Sequence, residues 1–283
     1  MGVDLHRARV FFLALGLALL GGCLRLRPSL LGDADRSVGG TSSGWLHRGV
    51  ALPDEGPAIE RARRGESTRF GVARLVRALE RAAAEVERAF PGGMALRIGD
   101  IGAPHGGRHP RHRSHRSGRD VDVLFYLASP TGLPVAPRSR VAFSRFGVAP
   151  DPETGEIVVF DEARNWHFVR SLLRDPSVEV QWIFCSRGIK SRLLRHALAV
   201  EPDRELLLRA AYVLAQPMNA RPHDDHFHVR VLCTAAERAV GCRDVPPIWP
   251  WLRPVLDPRE AAPRFDDRRL LELLDGDATQ PLQ

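Results

Sequence analysis

Lysine is nearly absent: Lys190 stands alone among 41 basic residues in a chain of 283. So complete an arginine bias reads as a coding effect. The formal charge of +7 and the pI near 10.1 therefore argue little for a nucleic-acid partner, and none is expected. Long apolar runs are missing as well. The run Val10–Leu20 has eleven residues, whereas a helix needs about 20 to cross a bilayer, so a polytopic membrane protein is excluded. The four cysteines form no CxxC pair, which speaks against a structural thiolate zinc site. No internal repeat or heptad pattern occurs. With 44% hydrophobic and 27% charged residues, the chain is not a disordered one either.

What is present begins with the N-terminus. His6, Arg7 and Arg9 precede the apolar run, which ends in Leu20-Gly21-Gly22-Cys23. A basic start, an apolar stretch of about 7–15 residues and small residues at its end describe an export signal. Small residues directly before a cysteine resemble a bacterial lipobox. The expectation is a lipoprotein-type signal peptide at 1–22, a lipidated Cys23, a tether at 23–36, and a periplasmic protein anchored to the outer membrane. The alternative is an ordinary cleaved signal. A basic protein in that compartment meets anionic wall polymer and lipid headgroups. Cys233 and Cys242 are close enough in sequence for a local disulfide there. Cys185, after the apolar stretch Val178–Phe184, reads as a buried thiol.

Periodicity supplies the elements. Leu75, Val76, Leu79, Ala82, Ala83, Val86 and Phe90 recur at spacings of three and four, predicting a helix over Ala73–Phe90. Further helices are predicted at Asp161–Arg174 with Asp161 as N-cap, at Ile189–Val200, at Asp203–Ala215 and near Leu270–Leu274. Strands are predicted at Leu96–Ile101, Val121–Leu127, Val178–Phe184 and His226–Leu232. Gly102–Ser117 reads as a loop, and Thr131–Glu156 as an irregular segment lining a cleft. Helices and strands mixed without regular alternation suggest an α+β fold: a central antiparallel sheet flanked by helices, with a zinc site in a cleft on the sheet.

The histidines carry the chemistry. Of eleven, four lie in His105–His115 and three in His223–His228. The first cluster closes with Ser114-His115-Arg116-Ser117-Gly118-Arg119-Asp120-Val121-Asp122. On a strand, Asp122 faces opposite to Val121 and Val123, and Gly118 lets His115 fold back toward it. The second cluster is His223-Asp224-Asp225-His226-Phe227-His228-Val229-Arg230, whose alternation puts His226, His228 and Arg230 on one face. A catalytic zinc takes three protein ligands and leaves one position open. His115, Asp122 and one histidine of the second cluster supply that set, and its companion sits beside the open position as an acid–base group. Asp120 either steadies a ligand histidine through a hydrogen bond or pairs with a neighbouring arginine. Asp224 and Asp225 either do the same for His226 or are turn residues. Arg108, Arg111, Arg113, Arg116 and Arg119 form either an anion-binding rim or a solvated loop. His105 and His109 read as loop histidines.

The pattern Ser114-His115-x-x-Gly118-x-Asp120-Val121-Asp122, together with His223-x-x-His226-x-His228-Val229-Arg230, resembles the penicillin-insensitive murein endopeptidases. That family sits in the metallopeptidase superfamily that also holds lysostaphin-type enzymes, D-Ala-D-Ala peptidases and hedgehog domains. The similarity extends through Ser37-Val38-Gly39, Arg97-Ile98-Gly99-Asp100 and Leu232-Cys233, over about Ser37 to Asp244. It implies that His115, Asp122 and His228 bind zinc, that His226 is the catalytic histidine and that His223 supports it. His112 matches a family histidine that lines the site or binds a second metal. Asp151–Glu156 lacks the aspartate–histidine pair of some relatives, so one zinc ion is expected. The implied domains are a zinc peptidase at 37–245 and a C-terminal extension at 246–283. The implied reaction is hydrolysis of D-alanyl–meso-diaminopimelyl cross-links in peptidoglycan, untouched by penicillin because no serine is acylated. The alternatives are a D,D-carboxypeptidase or dipeptidase trimming peptide stems, and a non-catalytic wall-binding zinc lipoprotein.

Overall fold

The computed structural model describes residues 31–218 and 220–252, together with 268, 270, 272 and 273. The chain divides into two units, 1–32 and 33–283, and every element below belongs to the second. The expected signal segment 1–22 and Cys23 lie outside the described residues, as does most of the expected tether 23–36.

The three-and-four spacing of apolar residues produces helix α1 (Ala73–Ala89), which buries Leu75, Val76, Leu79, Ala82, Ala83 and Val86. Helix α2 (Glu162–Arg174) starts where the Asp161 carboxylate accepts from the Arg164 amide at 3.0 Å. Such a cap is worth about 1 kcal/mol. Ser186 caps α3 (Arg187–Val200), and Asp203 caps α4 (Arg204–Val213) in the same way. A short α5 (Ala235–Ala239) begins with a reciprocal Thr234–Glu237 capping box. The helix expected near Leu270–Leu274 lies largely outside the described residues; Leu270 and Leu273 are helical and buried.

The main sheet has six strands: β1 (Ile59–Arg61), β2 (Leu96–Ile98), β3 (Asp120–Leu124), β4 (Val180–Phe184), β5 (Leu214–Ala215) and β6 (His226–Val231). Their order is β5-β4-β6-β3-β2-β1. The four inner strands are antiparallel, but both edges pair in parallel, β5 on β4 and β1 on β2. The sheet is therefore mixed, not wholly antiparallel, within an α+β fold. The predicted helix Asp203–Ala215 ends two residues early because Leu214 and Ala215 extend to pair with Ile183 and Phe184.

The predicted strand Val121–Leu127 also breaks. The Asn165 side chain takes both backbone groups of Tyr126, accepting from its amide at 3.1 Å and donating to its carbonyl at 2.8 Å. Beyond that diversion, Leu127–Ala128 enters a separate four-stranded antiparallel sheet with Ile157–Phe160, Val148–Pro150 and Pro134–Val135. Two of those short strands fall inside Thr131–Glu156. Strand Leu96–Ile101 stops at Ile98, since Ile101 turns to donate its amide to the Thr68 carbonyl.

Alternation along β3 and β6 sorts the sheet's two faces. Val121, Val123, Phe227, Val229 and Val231 join Leu79, Phe168, Leu172, Leu193 and Leu207 of α1–α4 in one core. Fully burying each such side chain is worth about 1.5–3 kcal/mol. Asp120, Asp122, His226, His228 and Arg230 are thereby directed to the opposite face. The helices cover one side of the sheet and leave the other to polar residues.

Candidate metal centre

Register assembles the polar face. His228 pairs with Asp122 across the β6–β3 ladder, and Arg230 with Asp120, so two segments about a hundred residues apart meet side by side. The loop before β3 brings in His115, which adopts a left-handed backbone at φ +64°. A non-glycine residue held there costs of order 1–3 kcal/mol and persists only where its surroundings enforce it. The enforcing contact is short: His115 Nδ1–H donates to the Ile101 carbonyl at 2.7 Å.

That bond leaves His115 Nε2 with its lone pair facing inward. His228 is fixed in the opposite sense, its Nε2–H donating to Asp120 Oδ1 at 2.9 Å and its Nδ1 facing inward. His115 Nε2, His228 Nδ1 and Asp122 Oδ1 then lie at 3.3 Å from one another on every side of a triangle. His226 Nε2 reaches the same oxygen at 3.4 Å. Asp122 Oδ1 is buried and accepts no hydrogen bond. Lone pairs converging this closely need a cation among them, either a proton or a metal ion. The donor set of two imidazoles and a carboxylate suits a metal.

The electrostatics likewise favour positive charge at this centre. Burial alone would raise the Asp122 carboxyl, yet the imidazoles of His115 and His226 hold it well below the usual carboxylate range. Burial would likewise raise Asp120, but Arg230 and His228 depress it. Burial lowers His226 and His228, and this is outweighed by Asp122 for His226 and by Asp120 and Asp122 for His228, so both lie above the ordinary value. His223 differs. Burial, reinforced by His226 and His228, pushes it down to about 4, so it is neutral near pH 7. Its ring lies 4.8 Å from that of His226, its Nδ1–H donates to the Arg221 carbonyl, and its φ of +55° is again left-handed.

The structure thus brings together His112, His115, Asp120, Asp122, His223, His226 and His228. Asp120 accepts from His228 and, at 2.6 Å, from Arg230 Nε across the ladder rather than from an arginine beside it in the sequence. Asp225 contacts His226 Nδ1. His112 Nε2 stands 3.0 Å from Asp100 Oδ2 and 3.4 Å from Asp122 Oδ2.

Other readings change. His109 is a loop histidine, but a buried one: it packs against His112 and His115 and is pushed down to about 4 by burial and by His115. Of the five arginines, Arg108 and Arg113 are exposed, Arg116 donates to the Arg113 carbonyl, and the other two are engaged with acids. Arg111 grips Asp100 through Nε at 2.9 Å and Nη2 at 2.7 Å. Arg119 is buried and tied to Asp244, Ser37 and two carbonyls. Two residues given no role by their sequence context also enter. Asp100 anchors His112, a position hinted at only by its place in the matching Arg97–Asp100 segment. Arg140, from the irregular segment, donates to Asp122 Oδ2 at 2.7 Å and to His226 Nδ1 at 2.6 Å. Nothing in its local sequence marks it. Below the site, Cys233 and Cys242 form a disulfide, and Cys185 is a buried free thiol.

A family model described as penicillin-insensitive murein endopeptidase matches residues 37–250. Proteins called penicillin-insensitive murein endopeptidase in three bacteria are similar over most of their length. The one from Klebsiella pneumoniae subsp. pneumoniae is 29% identical over 231 residues, spanning 77% of this chain and 73% of its own. That from Pectobacterium atrosepticum is 28% identical over 254 residues, spanning 84% and 82%. That from Escherichia coli O157:H7 is 27% identical over 226 residues, spanning 75% and 70%.

Proposed function

The chain belongs to the penicillin-insensitive murein endopeptidase family, and from that premise we propose that it hydrolyses D-alanyl–meso-diaminopimelyl cross-links of peptidoglycan with one zinc ion held by His115, Asp122 and His228. The observation carrying this reading is the 3.3 Å triangle around the orphaned Asp122 Oδ1. A tetrahedral ion with ligand distances of about 2.0–2.1 Å needs ligand atoms about 3.3–3.4 Å apart. Once bound, zinc supplies a Lewis acid that polarises the scissile carbonyl and lowers the pKa of water to about 7.

The chain's own residues do the remaining work. His226 carries the proton at Nε2, which lies on the same side of Asp122 as the triangle. Arg140 donates to its Nδ1 at 2.6 Å, and Asp225 stands beside the same edge of the ring. Neutral His223 packs beside it and shields that proton transfer from bulk water. Asp120 keeps the His228 Nε2 proton in place, so Nδ1 remains a lone pair. His112 lines the rim, held by Asp100, and takes no second ion in this reading.

Digestion of cross-linked muropeptide dimers, with zinc and with chelator, tests the proposal. Zinc-loaded protein is expected to release monomers with intact four-residue stems. Loss of a single terminal D-alanine from pentapeptide stems, with dimers intact, would mean a carboxypeptidase. Zinc binding without any cleavage would mean a wall-binding module.

We further propose that the enzyme acts in the periplasm, tethered to the outer membrane by lipid on Cys23. The Cys233–Cys242 disulfide supports an oxidising compartment. Metabolic palmitate labelling of wild type, but not of Cys23→Ala, is the expected result.

A further inference from the structure

Arg140 is held as though its position matters. Arg97 Nη1 donates to the carbonyls of Pro137 and Arg138, the latter at 3.1 Å, and so pins the segment just before it. Just after it, the Phe143 amide donates to the Asp224 carbonyl at 2.9 Å, tying the segment to the His223–Asp225 turn. Gly99 backs the Asp122 side of the pair: a Cβ there would press on the Asp122 Cβ at 3.1 Å and would only touch Arg140 Nη2, at 3.6 Å. A side chain from an irregular segment is thereby aimed at the centre from two directions.

The charges around it favour an anion as ligand. Arg140 faces Asp122 and, at 3.7 Å, Asp225. If the proposed ion shares Asp122 through Oδ1, three positive charges confront two carboxylates, since Asp120 is already claimed by Arg230 and His228. A guanidinium has five N–H donors, and among the described residues two of them make close bonds here. The side chain is 30% exposed, so its outer edge is open to a ligand. Guanidinium–carboxylate pairing is charge-assisted and directional. In the cross-link, the amide nitrogen sits on the same carbon as a free carboxylate of diaminopimelate. A carboxylate one carbon from the cleaved nitrogen falls naturally beside a cation that borders both Asp122 and His226.

We propose that Arg140 is the specificity-determining residue for the acceptor side of the scissile amide, binding the diaminopimelyl carboxylate next to it. This rests on the endopeptidase reading above. Zinc-loaded protein is assayed on two synthetic dimers that differ only there, one carrying the free acid and the other its primary amide. Wild type is expected to prefer the acid by roughly 10- to 100-fold in kcat/KM, the worth of a hydrogen bond to a charged group. Arg140→Gln lowers both rates through Asp122 and His226 but cleaves acid and amide equally, and Arg140→Lys recovers part of the preference. Equal cleavage of the two dimers by wild type, or a preference that persists in Arg140→Gln, overturns the assignment.

A second measurement separates this idea from the reading beneath it. The released acceptor peptide, as acid and as amide, is titrated calorimetrically into wild type and Arg140→Gln. Acid-selective binding that disappears in the variant supports Arg140 even if neither dimer is cleaved, an outcome that would instead count against the endopeptidase reading. Binding blind to the acid in wild type overturns the assignment.

Discussion

Asp100 and Asp122 are both buried aspartates among histidines, and each anchors a group with metal-ligand spacing. Their surroundings differ atom by atom. Both oxygens of Asp100 are claimed by donors: Thr68 Oγ1 at 2.7 Å, two nitrogens of Arg111 and His112 Nε2. Its neighbour His109 accepts the amides of Arg111 and His112 on Nδ1, so the neutral ring carries its proton on Nε2 and has no lone pair left to ligate. Asp122 is the reverse. Its Oδ2 is met by Arg140, while Oδ1 has no donor and faces two imidazole lone pairs. A carboxylate surrounded by donors is complete as built; one that faces other acceptors awaits a cation. Proximity of His and Asp does not tell these cases apart, whereas the direction of each hydrogen bond does.

The largest expected effect breaks the Asp122 side. Asp122→Asn lowers dimer cleavage by at least about 10³-fold, and bound zinc, read by elemental analysis, falls from one per chain toward none. Retention of full zinc occupancy in that variant would end the distinction between the two aspartates. Next comes Asp120→Asn, which leaves the His228 proton without its charged acceptor. Zinc affinity is expected to fall by about 10–100-fold, as measured against a competing chelator, with the circular dichroism spectrum unchanged.

Asp100→Asn probes the completed site. Zinc stays at one per chain, and stability falls by about 1–3 kcal/mol from weakened buried hydrogen bonds, read by urea denaturation. The pH dependence follows from the sign of its shift. Burial would raise Asp100, but Arg111, His112 and Thr68 hold it below its unfolded value. Its stabilisation is therefore complete above an unfolded pKa of about 3.9 and is lost as pH falls through the depressed folded value. The wild type should lose that stability in acid below about pH 4, and Asp100→Asn should show a flatter acid limb. The smallest effect is expected from His109→Gln: unchanged zinc stoichiometry and about 1 kcal/mol of lost stability from disturbed packing. A drop in zinc content there would mean that the second cluster does hold an ion.

Much of this arrangement was legible along the chain, because alternation and periodicity are local properties. Val121 and Val123 against Asp122, and Phe227 and Val229 against His226 and His228, announced two-faced strands. Leu75, Leu79 and Val86 announced one helix, and Asp161 the start of another. Legibility ended where a residue's partner lies far away in sequence. Tyr126 leaves the sheet because of Asn165, 39 positions later. Leu214 becomes an edge strand because Ile183 offers it a ladder. Arg140 was invisible because a lone arginine in a Pro- and Gly-containing segment has no pattern to match, and Asp100 because one aspartate among many looks like any other.

The sequence by itself determined that two histidine-bearing segments end in strands presenting their polar residues on one face, and to which family that pattern belongs. Only the tertiary structure decided which nitrogen of each histidine turns inward, which aspartate turns a bare oxygen toward two imidazoles, and which arginine stands at the rim. The reason is physical. The face a side chain takes follows from the backbone's period of two, whereas its tautomer and its charge state follow from the partner placed against it in space.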